Sequence, residues 1–501
     1  MQKLVEAPLF VSLLGLAALS MMIPAVHALL IDDHATSRAF LYSAILAGIL
    51  FLMLVLATTG MRIRRQGRSH LISIVACLAV LPAVLAVPFS EAVPDTRFIN
   101  AYIEMVSSLT TTGLTLFDPD RLPPSVHLWR ALTAWMGGFF AITTAIAILA
   151  PLNLGGFEVT SGSEIGQGAR RTFAGIDTSV RLRRYAVKLA PIYCVLTGAL
   201  WLSLYLAGDT PLVAICHAMS TLSTSGISPV AGVEQAGSGL GGEMIMVVFF
   251  VFALSRLTFL HEDLGQRARA LVQDPELRLG LFIIVVVTAL LFLRHWMVRF
   301  EDGLEISVYE AIRGLWGALY TVASFLTTTG FVSGDWEMAR SWSGYGAPGV
   351  LLLGLAVFGG GVATTAGGVK LLRVYVLYQH SVREMEKLVQ PSSIGGSGHE
   401  ARRFRQQGAF AAWVFFMLFA MSIAVVMTGF SLLGGVSFEE AMILTISALS
   451  TTGPLTQVAG NEAIALSGLG DAARVLLAMA MVLGRLEALA LIAFLNPEFW
   501  R

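Results

Sequence analysis

Polar and apolar positions along this 501-residue chain are segregated into long blocks. Apolar stretches of about 20 residues, enough to cross a bilayer, begin near residues 8, 39, 71, 128, 185, 242, 279, 346, 408 and 473, and predict ten full spans. Between them lie shorter apolar stretches at 98–109, 211–222, 314–326 and 438–449. A dozen helical residues rise about 18 Å, roughly half the hydrocarbon thickness, so these read as re-entrant half-helices. Each runs into a nine-residue segment of one pattern: SSLTTTGLT at 107–115, STLSTSGIS at 220–228, SFLTTTGFV at 324–332 and SALSTTGPL at 447–455. Their glycines, Gly113, Gly226, Gly330 and Gly453, stand 113, 104 and 123 residues apart.

Non-helical backbone at membrane depth is tolerated only where protein or water covers it, so the four loops are expected to share a wet interior. The chain is therefore expected to be an all-α polytopic membrane protein. Four units of helix, half-helix, loop and helix would surround one central pore. The expected division is an N-terminal helix pair at 1–68, then units at 69–155, 156–265, 266–380 and 381–501. The polar stretch around 380–407, rich in Pro, Ser, Gly and charge, reads as a cytoplasmic loop.

Composition agrees: 56% of residues are hydrophobic and 13% charged, against about 25% charged in soluble domains. Net charge is zero, and nothing points to a nucleic-acid partner. The basic residues are unevenly placed. Arg62, Arg64, Arg65 and Arg68 fall in one connection, Arg170, Arg171, Arg181, Arg183 and Arg184 in a second, Arg267, Arg269 and Arg278 in a third. Arg373, Arg383, Lys387, Arg402, Arg403 and Arg405 fall in a fourth. The positive-inside rule makes these loops cytoplasmic, puts both termini inside and turns the four Gly loops toward the outer face. Cys77, Cys194 and Cys216 have no paired spacing, which implies neither a disulfide framework nor a metal cluster. The first thirty residues, with Glu6, Pro8 and a single early Lys, read as a retained span rather than a signal peptide.

A cation leaving water for a narrow path needs several oxygens at ligand distance without a full charge to trap it, and backbone carbonyls with hydroxyls supply them. The candidate ligands are Thr111, Thr112 and Gly113, Thr224, Ser225 and Gly226, Thr328, Thr329 and Gly330, and Thr451, Thr452 and Gly453. Half-helix C-termini aimed at the axis would add partial negative charge. No carboxylate lies within these segments, which suits a monovalent cation. The fourth loop keeps a full STTG, favouring a symmetric arrangement.

A second segment, FGGGVATTAGGVKLLRV at 358–374, interrupts a span with Gly359, Gly360, Gly361, Gly367 and Gly368. Each glycine weakens a helix by roughly 1 kcal/mol, so a break within the membrane is expected. It would serve either close helix packing or a loop beneath the filter that obstructs the path, with Lys370 near its cytoplasmic end. Arg485 lies within an apolar span, where a charge costs at least about 2.5 kcal/mol. It would either face the pore as a barrier to cations or pair with another helix. Arg256 raises the same question nearer the cytoplasmic edge, where it could snorkel. Enzyme motifs are weak: GLGD at 468–471 lacks a second membrane Asp, and neither HExxH nor a phosphate-binding Gly-Lys-Ser/Thr loop occurs.

From about residue 70 onward the chain resembles the Trk/Ktr/HKT superfamily of potassium transporters, in its TrkH branch. The resemblance rests on LTTTG near 109–113 with WRALTAWMGG at 129–138, STSG at 223–226, TTTGF at 327–331, GGVATTAGGVKLLR at 360–373 and LGRLEALALIAFLNPEFWR at 483–501. It implies potassium as the carried ion at the filter residues and no cofactor held by this chain. It also implies a gate of Gly359, Gly360, Gly361, Gly367, Gly368, Lys370 and Arg485, and a homodimer with one pore per chain, set in membrane lipid. A cytosolic nucleotide-binding regulatory subunit of the TrkA type would dock on the basic inner surface. The span at 244–263 lacks the Gly-Gly pattern expected of that branch. The other reading kept open is a secondary transporter of sodium or a small solute, whose broken helices would form inverted repeats; the four segments here run in the same direction.

Overall fold

A computed structural model describes residues 9–58, 66–150, 178–255, 257, 271–302, 308–343, 348–390, 406–433, 435–460 and 462–486. Arg62, Arg64, Arg65, Arg170, Arg171, Arg256, Arg267, Arg269, Arg402, Arg403 and Arg405 lie outside the described residues, as do the segment 391–405 and the closing motif beyond 486.

The described chain is helical. Helices α1 (Leu9–Ser20), α2 (Met22–Leu30) and α3 (His34–Thr58) form the N-terminal group. The first loop is framed by α4 (Gln66–Ala79), α5 (Leu81–Ala92), the short α6 (Phe98–Leu109) and α7 (Pro124–Thr144). The second has α8 (Thr178–Leu206), short α9 (Pro211–Ser223), α10 (Gly239–Phe249) and α11 (Val251–Leu254). The third has α12 (Pro275–Asp302), α13 (Val308–Leu326), α14 (Trp336–Ser343), α15 (Pro348–Phe358) and α16 (Leu371–Val389). The fourth has α17 (Gln406–Leu433), short α18 (Phe438–Leu449), α19 (Leu455–Val458) and α20 (Asp471–Leu486).

Order around the molecule follows from which helices touch. The short helix of each segment packs on the helix that ends the previous one: α9 on α7, α13 on α10, and α18 on α15. The last helix, α20, returns to pack on α6. The sequence of contacts closes into a ring. The N-terminal group clips onto the first segment, where His27 Nδ1 meets Ser125 Oγ at 2.8 Å and α3 packs on α5.

Two expectations need correction. Among the described residues seven helices are long and apolar enough to cross a membrane, against ten expected. The closing helices of the second and third segments are broken, and the expected span from 473 lies partly outside the described residues. Gly239–Leu254 stops at Ser255, whose backbone turns extended at φ −140° and ψ 127°. Pro348–Phe358 stops at the Gly-rich segment, and α20 is described for 16 residues. Glycine accounts for the break after Phe358. At Ser255 the side chain engages the backbone instead, its hydroxyl accepting from the Leu257 amide at 3.3 Å and donating to Asp274, a signal that a hydropathy scan passes over. Finally, the third short helix is 19 residues long, extended at its start by polar turns in which Arg313 pairs with Asp335 at 2.6 Å.

Candidate functional site: four glycine loops and an intramembrane strap

Each short helix ends in the same way. The amide of the third hydroxyl residue donates back to the leading serine carbonyl: Thr112 to Ser107 at 2.8 Å, Ser225 to Ser220 at 3.0 Å, Thr329 to Ser324 at 2.9 Å and Thr452 to Ser447 at 2.9 Å. The amide one residue earlier takes the next carbonyl, as in Thr111 to Ser108 at 2.9 Å and Thr328 to Phe325 at 3.1 Å. This pair of bonds is a Schellman helix end, which places one residue in the left-handed region, usually glycine. Here that residue is Thr111, Thr224, Thr328 or Thr451, with φ of 55°, 52°, 57° and 53°. A β-branched residue there costs about 1–3 kcal/mol and persists only where its surroundings enforce it. Four identical exceptions at one register mark the loops as built to a common requirement.

The left-handed turn reverses the chain so that it climbs away from the helix it has just left. Gly113, Gly226 and Gly330 then take φ of 72°, 65° and 85°. A Cβ on Gly113 would collide with the Ser225 carbonyl, one on Gly226 with the Thr329 carbonyl, and one on Gly330 with the Pro454 ring. Gly453 lies against the backbone of Gly113 and Leu114, and its amide donates to the Thr112 carbonyl at 2.6 Å. Loop one thus touches loop two, two touches three, three touches four, and four touches one. All twelve candidate ligand residues fall in this contact ring, and their hydroxyl-bearing members are fully buried.

The ring is not symmetric. Gly453 lacks the positive φ of its counterparts. Pro454, which cannot donate a backbone hydrogen bond, turns the chain into α19, and the Thr452 and Gly453 carbonyls accept from the amides of Leu455 at 3.3 Å and Thr456 at 3.1 Å. With the Thr112 carbonyl taken by Gly453, three of the expected carbonyl ligands are engaged by protein donors. The symmetric arrangement read from STTG is overturned by the residue that follows it.

Residues behind the loops, not singled out from sequence, hold the climbing limbs. Three positions before the leading serine stand Glu104, His217, Thr321 and Leu444. Glu104 Oε2 accepts from the Leu116 amide at 3.1 Å, His217 Nε2 lies 2.9 Å from Ser228 Oγ, and Thr321 Oγ1 accepts from the Ser333 amide at 3.3 Å. Leu444 has no such bond to offer, and there the limb is helical instead. Buried Glu104 pairs with buried Arg130 at 2.6 Å. Glu243 accepts from Trp316 Nε1 at 2.7 Å, Ser333 Oγ at 2.8 Å and the Gly334 amide at 2.8 Å. A polar residue recurring at one register of an apolar half-helix was the available signal. Beside the third limb, burial, with Glu337 and Glu243 nearby, pushes the Glu234 carboxyl above the usual carboxylate range.

The Gly-rich segment joins α15 to α16 as a buried strap. Its ends are fastened together: the Val369 amide donates to Val357 at 2.9 Å, Lys370 to Phe358 at 3.0 Å and Leu371 to Gly360 at 3.0 Å. It rests on the ends of neighbouring helices. The Gly361 amide donates to the Ala253 carbonyl at 2.9 Å, and Thr364 Oγ1 reaches the same carbonyl at 3.0 Å. Thr365 Oγ1 donates to the Leu222 carbonyl at 3.1 Å and the Gly367 amide to Thr328 Oγ1 at 2.8 Å. Gly359 and Gly368 take φ of 70° and 76° and pack against each other. Arg485, 120 residues away, donates from Nη1 to the Thr365 carbonyl at 2.6 Å. Lys370 is buried, with Nζ donating to the Ala366 carbonyl. Strap, Arg485, Lys370 and the end of α7 line one cavity, which Phe140 and Thr144 border.

The residues expected from sequence to form the gate are therefore brought together against the loops, and the segment that breaks the third closing helix is seated on the broken second one. The geometry provides buried oxygens in a ring of touching loops, with a strap bonded to Thr328 of the third loop.

The family model described as "TrkH: Cation transport protein" matches residues 244–499. The chain is 30% identical over 98% of its length to the Trk system potassium uptake protein TrkH of Vibrio parahaemolyticus, covering 97% of that protein. It is 30% identical to the Escherichia coli protein of the same name, with 96% of each chain covered. The crystal structure of the potassium transporter TrkH from Vibrio parahaemolyticus superposes with a TM-score of 0.79 at 28% identity, covering 100% of both chains. On these grounds the chain belongs to the TrkH family of cation transport proteins.

Proposed function

We propose that this protein takes potassium up across the bacterial cytoplasmic membrane through a gated, channel-like pore, driven by the membrane potential and without catalytic chemistry. The observation that carries the reading is the closed ring of four loops, each entered through a left-handed threonine. It supports a filter of Thr111, Thr112, Gly113, Thr224, Ser225, Gly226, Thr328, Thr329, Gly330, Thr451, Thr452 and Gly453, in which buried oxygens stand in for the water shell of a monovalent cation. The family relatives named as potassium uptake proteins agree with it.

The gate consists of Gly359, Gly360, Gly361, Gly367, Gly368, Lys370 and Arg485. The cation at Arg485, bonded to the strap, adds an electrostatic barrier on the inner side of the filter. Each chain carries its own pore, in a homodimer with both termini cytoplasmic, under the control of a cytosolic nucleotide-binding partner of the TrkA type. The relatives' naming as parts of a Trk system supports a partner of some kind. Transport of sodium or a small solute through inverted repeats is disfavoured because all four loops leave their helices by the same turn and meet in one contact ring.

Rubidium uptake into proteoliposomes, with sodium as competitor, tests the filter. In Gly113→Ser and Gly330→Ser the added side chain would meet the Ser225 carbonyl or the Pro454 ring, so rubidium flux should fall at least about tenfold or sodium should compete far better, the weight of about 1.4 kcal/mol. Unchanged flux and selectivity in both variants would remove the filter.

A further inference from the structure

The four left-handed threonines stand at one register but are not in one chemical state. Thr111 and Thr451 bury their hydroxyls without a hydrogen-bond partner. Thr224 turns its hydroxyl to the Ser223 carbonyl at 2.7 Å. Thr328 alone receives a bond from the strap, its Oγ1 accepting from the Gly367 amide at 2.8 Å. Gly367 is also wedged beside the fourth threonine: a Cβ there would collide with the Ser450 carbonyl and Thr451 Oγ1. The strap thus meets the ring at Thr328 and Thr451, and only a residue without a side chain fits between them.

A buried hydroxyl without a partner is costly, and two at equivalent positions of touching loops call for a common ligand. An oxygen-ligated cation is the ligand the four loops otherwise suit. We infer that the Thr328 hydroxyl is a latch shared between gate and filter, accepting from Gly367 while the strap is seated and becoming a third hydroxyl ligand, beside Thr111 and Thr451, of an innermost cation position once the strap leaves. This inference rests on the filter reading proposed above. Strap and cation then compete for one oxygen. By linkage, whatever displaces the strap strengthens cation binding at this position, and a cation there weakens the hold of the strap by the same factor.

The test compares Thr328→Ala with Thr451→Ala in proteoliposomes, reading rubidium flux without any regulatory partner. Alanine removes the β-branch from the left-handed position, so both variants relieve local strain and are expected to fold; retention on size-exclusion and an unchanged melting transition confirm it. Thr328→Ala should raise resting flux about three- to tenfold, the scale of one net hydrogen bond lost from the seated strap. Thr328→Ser, which keeps the acceptor, should restore the resting value. Thr451→Ala removes a ligand without touching the strap bond, so it should raise the rubidium concentration for half-maximal flux and lower flux below saturation, with no gain at rest. Equal resting flux in Thr328→Ala and Thr451→Ala, or no restoration by Thr328→Ser, overturns the latch. Should Gly113→Ser and Gly330→Ser still alter selectivity in the same preparation, the filter stands without it; if they do not, the filter itself has failed.

Discussion

At the residue scale, the informative contrast lies between buried polar groups that are paired and those that are not. Glu104 and Arg130 form a fully buried pair beside the first loop, and such pairs contribute little net stability yet are expensive to break on one side. Glu104→Ala should therefore destabilise the protein by about 3–5 kcal/mol, since it strands Arg130. A thermal melt in detergent would register this as a clear loss. Glu104→Leu combined with Arg130→Met should recover part of it and not all, because the Leu116 amide loses its acceptor at a cost of about 1–3 kcal/mol. A double variant as unstable as the single one would show that the pair is not what holds this limb. The loop residues themselves were legible in sequence, because four copies of hydroxyl-hydroxyl-Gly leave little room for another reading. What lies behind them was not. Glu104, His217 and Thr321 share a register but not a chemistry, and only the fold shows that all three hold the same part of the loop.

At the element scale, helix ends decide the architecture. Three of the four short helices were recognisable by length, the third running to 19 residues, and the C-terminal turns of all four follow from the Ser and Thr positions. Two features could not be read ahead. The second closing helix stops at Ser255 without glycine: the hydroxyl accepts from the Leu257 amide at 3.3 Å, a local side-chain bond that competes with the helix ladder, and is itself held by Asp274. The fourth loop departs from the other three because Pro454 fixes its backbone for α19. The strap, by contrast, announced itself through five glycines. It is held to the ends of three helices by hydrogen bonds to the carbonyls of Ala253 and Leu222 and to the Thr328 hydroxyl, and to α20 through Arg485, which donates to its Thr365 carbonyl. Deleting residues 363–366 should remove most of these ties and leave a pore that conducts rubidium at rest, several-fold above wild type. Loss of folding in that variant, seen as aggregation on size-exclusion, would instead assign the strap to helix packing.

At the scale of the whole molecule, the closing contact is α20 on α6. It joins the last segment to the first and converts a linear series of similar units into an enclosure. Hydropathy identified the membrane class and the positive-inside pattern gave an orientation, but neither can say that the series closes, since that depends on packing between residues about 370 positions apart, such as Arg97 with Asp471. If the enclosure conducts by diffusion of a dehydrated cation, uptake should follow the electrical gradient alone. Collapsing a pH gradient at fixed inside-negative potential should leave rubidium uptake into proteoliposomes unchanged, whereas a proportional fall would require proton coupling. Whether the four loops surround the ion is decided by anomalous diffraction from crystals grown in thallium. Peaks are expected between the loops at the level of Gly113, Gly226 and Gly330; thallium bound elsewhere, with that space empty at saturating concentration, would remove the filter.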